Sequence, residues 1–178
     1  MTAGVAHEIN NPVAAVQRGS GQLADAAEEF AEARLNVSQV GLSSDQLGVM
    51  DSLLERARTD ALNPPEMDAL ARSDLEYELE SWLEDHDVED GWEFAPILAS
   101  LNYGPDDLSV LVDHFSNEQL TPVVGALSAT YSLYNLLAEI NRGSERIAEI
   151  VKALKSYSYL DQRPCKMSTS TKASTTRC

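Results

Sequence analysis

The chain has 178 residues, 43% of them hydrophobic, which is enough for one domain with a buried core. Acids outnumber bases 29 to 13, for a net charge of −16. That balance excludes a nucleic-acid backbone or an anionic membrane surface as the main partner, since both need clustered Lys and Arg. The two cysteines, Cys165 and Cys178, lie in the last fourteen residues, so neither a disulfide framework nor a cysteine zinc site is expected, and a cytoplasmic location fits. The opening MTAGVAHEIN lacks a basic start before an apolar run, so no secretory signal is expected. The uncharged stretch Gln119 to Ala138 carries amide, hydroxyl and proline residues and reads as a buried helix rather than a membrane span.

Four zones follow in chain order. Residues 1–34 form a first helix. Ile9, Val13, Val16, Ser20, Leu23, Ala27 and Phe30 step by four and three, the 3.5-residue seam of helices packed nearly parallel. Residues 35–121 are acidic, with sixteen acids and three bases between Asp45 and Glu93, most simply a solvated face. Turn signals at 41–44, Asn63-Pro64-Pro65, Gly91, Gly104-Pro105 and Thr121-Pro122 divide this zone into short helices. Ser44 or Asp45 caps one near 45–60, Pro65-Glu66 opens another, Ser73-Asp74 a third, and Asp106-Asp107 a fourth over 106–114. No run resembles a calcium-binding loop.

Residues 122–160 form a second long helix, with a matching seam at Ala126, Thr130, Leu133, Leu137, Ile140, Ser144, Ile147, Val151, Leu154 and Ser158. The shared period lets the two long helices pack at about 20°, as bundle helices do. Arg142, Arg146, Lys152 and Lys155 sit toward its C-terminal end, which suits the helix dipole. Residues 161–178 are polar and patternless and read as a disordered tail.

The chemistry concentrates in Ala6-His7-Glu8-Ile9-Asn10-Asn11-Pro12. The zinc-protease pattern begins His-Glu but needs a second histidine four residues on, where this chain has Asn11, so a metal site is rejected. A helix-borne histidine without a role is the plainest alternative. The block resembles the H-box of sensor histidine kinases of two-component systems, whose dimerisation and phosphotransfer domain carries His-Glu-(Ile/Leu)-Asn-Asn-Pro on its first helix. Ser144 to Ser158, with Arg146-Ile147 and Ile150-Val151, is similar to the second helix of that domain. The Trp82 to His86 block resembles a helical insertion found in a subset of such kinases, and no ligand is assigned to it.

The resemblance implies an all-α fold: an antiparallel helical hairpin pairing with a second copy in a dimeric four-helix bundle, with a helical insertion between the long helices. It implies that His7 accepts the γ-phosphoryl group of ATP from an ATPase domain and passes it to an aspartate of a response-regulator receiver domain. Glu8 would orient the ring and offset charge, and Asn11 would help govern transfer and dephosphorylation. An unperturbed imidazole titrates at about pH 6.5, so at neutral pH most of it is the uncharged nucleophile. Ile9 and Val13 belong to the seam and point inward, which leaves His7 to solvent. Adjacent helical residues diverge by about 100°, so Glu8 must reach round, whereas Asn11 shares the face of His7. Pro12 removes the bond to the Glu8 carbonyl and is expected to bend the helix. His86 and His114 have no such context and read as surface or packing residues.

No Asn-rich or Gly-rich ATP-binding box follows the second helix. The chain is therefore expected to be a truncated kinase, holding no cofactor itself and not competent alone, with Mg-ATP bound by the missing half. Written in GC-rich codons, one G restored after Gln162 turns the tail into a sequence resembling the family linker, so a frameshift would account for its composition. The expected partners are a second copy, an ATPase domain and a receiver domain, with no nucleic acid and no membrane. A non-catalytic dimeric scaffold that sequesters kinase or regulator partners is the alternative.

Overall fold

A computed structural model describes residues 2–161, and among them every regular element is helical. α1 spans Thr2–Gln39, α2 Ser44–Leu62, α3 Ala69–Asp85, α4 Gly91–Ser100, α5 Pro105–His114 and α6 Asn117–Asp161. The tail expected over 161–178 lies, past Asp161, outside the described residues.

Several boundaries differ from the sequence expectation. α1 overruns residue 34 because nothing before Gly41, at φ 63°, breaks the helix. α2 is capped one residue earlier than expected, at Ser43. Its hydroxyl accepts from the Gln46 N–H at 3.3 Å, and the Gln46 side chain accepts from the Ser43 N–H at 2.9 Å. Pro65-Glu66 does not open a helix, and the helix expected to start at Ser73-Asp74 begins earlier, as α3, capped by Asp68. α6 begins at Asn117 and runs straight through Thr121-Pro122. A proline there costs about 3 kcal/mol, and the fully buried Leu120, Val123, Val124 and Leu127 around it outweigh that at about 1.5–3 kcal/mol each.

α1 and α6 pack antiparallel. Gly143 of α6 faces Pro12 and Val16 of α1, and Gly19 of α1 faces Leu136 and Ile140 of α6. A Cβ on Gly143 would lie 2.7 Å from Val16 Cγ2, and one on Gly19 2.9 Å from Ile140 Cγ1, so the two glycines set the spacing of the helices. The expected α1 seam is only half-buried at Ile9, Val13, Val16, Leu23 and Phe30, and it is exposed at Ser20 and Ala27. The buried positions are Gly19 and Ala26, one residue earlier, a rotation of about 100°. On α6, Leu137, Val151 and Leu154 remain 36%, 38% and 39% exposed.

The main core lies at the other end. Leu79 and Leu83 of α3, Leu98 of α4, Tyr103, and Leu111 of α5 close on Val123, Val124 and Leu127 of α6. The acids of this region stay largely on the outside, as a solvated face requires. Gln46 ties the insertion to the hairpin. Its amide donates to the His114 carbonyl at 2.7 Å and to the Gln119 side chain at 2.8 Å, and Gln119 donates to the Val40 carbonyl at 3.4 Å. Arg56 of α2 pairs with Asp107 of α5 and covers the Tyr103 ring at 4.6 Å. Among the described residues no helix is long and apolar enough to cross a membrane.

Candidate functional site

His7 sits in the second turn of α1 with its ring exposed. Ile9 and Val13 are half-buried toward α6, so the inward seam and the outward histidine share one short stretch of helix. Asn11 is exposed one turn on, the i,i+4 relation that places it beside His7 on the helix surface. Glu8 is exposed, and among the described residues no hydrogen bond joins its carboxylate to the His7 ring. Pro12 lies inside α1, half-buried, with its carbonyl against Gly143.

The register set by the two glycines brings His7 level with the part of α6 around Ile150. This end of the hairpin escapes the acidity of the rest. Over residues 6–18 and 139–156 the bases Arg18, Arg142, Arg146, Lys152 and Lys155 slightly outnumber the acids Glu8, Glu139, Glu145 and Glu149. Arg146 donates to Glu149 at 3.1 Å, and no ion pair holds Arg142, Lys152 or Lys155 among the described residues. An anionic group therefore meets far less repulsion here than along the acidic stretch 19–138.

The other two histidines stand apart from His7. His86 ends α3, stacked on Trp82 with ring centroids 4.0 Å apart, and its Nδ1 donates to the Trp82 carbonyl at 2.8 Å. The ring thus packs on its own helix, and Leu83 of the same block is fully buried in the core. His114 is exposed at the end of α5. Among the described residues no three His, Cys, Asp or Glu side chains are grouped to hold a metal ion.

Between the two long helices, Asp107 and Tyr103 are shifted by burial and by Arg56. Burial raises the Asp107 carboxyl, but hydrogen bonds from Arg56 and the Gly104 N–H overcome that and hold it below the usual carboxylate range. Burial pushes the Tyr103 phenol up to about 12, and among the described residues its hydroxyl has no hydrogen-bond partner.

Sequence reasoning missed the close glycines. Gly19 and Gly143 carry no local signal, because the reason for each lies on the other helix. Comparison with protein-family models, curated proteins and solved structures finds no match to this chain.

Proposed function

We propose that this chain is the dimerisation and phosphoacceptor domain of a two-component sensor histidine kinase. The observation that carries the reading is the exposed His7-Asn11 face beside a half-buried Ile9-Val13 seam, within a block that matches the H-box residue for residue. A ring nitrogen of His7 attacks the γ-phosphorus of ATP held by a separate ATPase domain. The N–P bond forms, the bond to the bridging β-oxygen breaks, and ADP leaves. The other ring nitrogen carries the proton, and its positive charge grows as the bond forms, the charge that Glu8 would offset on turning toward the ring. A receiver-domain carboxylate then attacks phosphorus, forming an O–P bond as the N–P bond breaks.

The second copy has a physical basis. Leu137, Val151 and Leu154 on α6 leave an apolar stripe that α1 does not cover. Pairing two hairpins would close it as a four-helix bundle, the arrangement in which such seams are buried on all sides.

The test is phosphorylation by a histidine-kinase ATPase domain first shown to bind the chain by gel filtration. Acid-labile, base-stable label on the wild type and none on His7→Gln is the expected result. Label retained on His7→Gln, or none on a wild type that binds the domain, overturns the reading and favours a non-catalytic scaffold.

A further inference from the structure

A second surface lies far from His7 and does not depend on its role. Between α1, α4 and α6 runs a cleft of about 350 Å³. Phe94, Ile97 and Ala129 give it an apolar wall, and Glu29, Glu32 and Glu93 bring carboxylates from two helices. A neighbouring cleft shares Glu29, Ile97 and Ser132 and adds Asp25, so the two are continuous along α1. Asp25, Glu29 and Glu32 recur at i, i+4 and i+7, one carboxylate per turn on one face. Among the described residues none of these four acids has a salt-bridge partner. Ser128 lines the cleft at 4% exposure, and among the described residues its hydroxyl has no hydrogen-bond partner. Buried hydroxyls nearly always find one, so this hydroxyl is left to pair with a group bound in the cleft.

We propose that this groove binds a linear aliphatic polyamine. The methylenes lie on Phe94, Ile97 and Ala129, and successive ammonium groups meet the carboxylate row on α1, with Glu93 opposite. Three or four methylenes between nitrogens span about one helical turn, about 5.4 Å, which is the repeat of the row. A small divalent ion fits less well, because no three of these acids are grouped to hold one metal. Asp25 lies eighteen residues along α1 from His7, about 27 Å, so the ligand would not touch the histidine.

A chain of charge −16 attracts any polycation, so the test must separate a site from an ion atmosphere. Spermidine is titrated into the full chain by calorimetry at physiological salt. It is compared with the triple variant Glu29→Gln, Glu32→Gln, Glu93→Gln and with a control of equal charge on α3, Glu76→Gln, Glu78→Gln, Glu80→Gln. Saturable binding of one spermidine per chain, weakened about tenfold or more in the groove variant and unchanged in the control, is expected. Equal weakening in both variants, or no saturation in the wild type, overturns the proposal. Should the groove triple lose its helical circular dichroism, Glu29→Gln alone, at the residue shared by both clefts, must still weaken binding while the α3 control does not.

Discussion

Gly143 and Val16 meet across the two long helices with no room for a methyl group between them, a Cβ at Gly143 falling 2.7 Å from Val16 Cγ2. Val16 is β-branched and stiff, and the Pro12 carbonyl stands 3.2 Å from the same position, so neither neighbour yields readily. Gly143→Ala gains about 1 kcal/mol of helix propensity but suffers overpacking of about 1–3 kcal/mol. The expected result is a lower melting temperature, restored by adding Val16→Ala. A melting temperature raised by Gly143→Ala alone would show that the helices do not approach this closely.

The bare stripe on α6 predicts how the chain associates. Leu137→Asp with Val151→Asp places two charges where a second hairpin would pack, and burying them costs several kcal/mol. Sedimentation should show a dimer for the wild type and a monomer for this pair. Val112→Asp on α5, a residue of similar exposure at 38%, should remain dimeric. A monomeric wild type would remove the basis for the four-helix bundle.

Tyr103 predicts an alkaline limit. Its folded-state value of about 12 lies above the ordinary 10 of an unfolded tyrosine. Its contribution to stability is therefore fully present below pH 10 and is lost as pH rises toward 12. Tyr103→Phe removes both this loss and an unpartnered buried hydroxyl. The variant should be as stable as the wild type at pH 7, or up to about 1 kcal/mol more so, with a shallower decline at alkaline pH in denaturant titrations. Marked destabilisation at pH 7 would mean the hydroxyl has a partner after all.

Gln46 predicts a local weakness. Gln46→Ala removes the amide that joins the start of α2 to the end of α5 and the start of α6, together with half of the Ser43 capping box. A loss of about 1–2 kcal/mol is expected, with faster hydrogen exchange in the first turns of α2 and α6 and little change near His7. Uniform acceleration along the whole chain would place the effect elsewhere.

The parts legible in the sequence were those written in local pattern. The individual helices followed from the 3.5-residue seams and capping residues, the all-α class also from the resemblance, and α5 from Asp106 and Asp107 after the Gly104-Pro105 turn. What stayed hidden depended on distant partners. Pro122 reads as a break until Val123, Val124 and Leu127 are seen buried around it. The expected α1 seam held its period but missed the rotation to Gly19 and Ala26, because small residues carry no hydrophobic signal. Within the candidate site, the exposure of His7 followed from the positions of Ile9 and Val13. A contact between Glu8 and the ring could not be read from adjacency, and among the described residues no hydrogen bond joins them.

The buried surface of α6 belongs to two neighbours at once. Its first turns are covered by α2 to α5, and its later turns by α1 on one side only. Without α2 to α5, Val123, Val124 and Leu127 would face water as an apolar patch, so the long hairpin relies on the segment between its helices for its solubility as well as its packing.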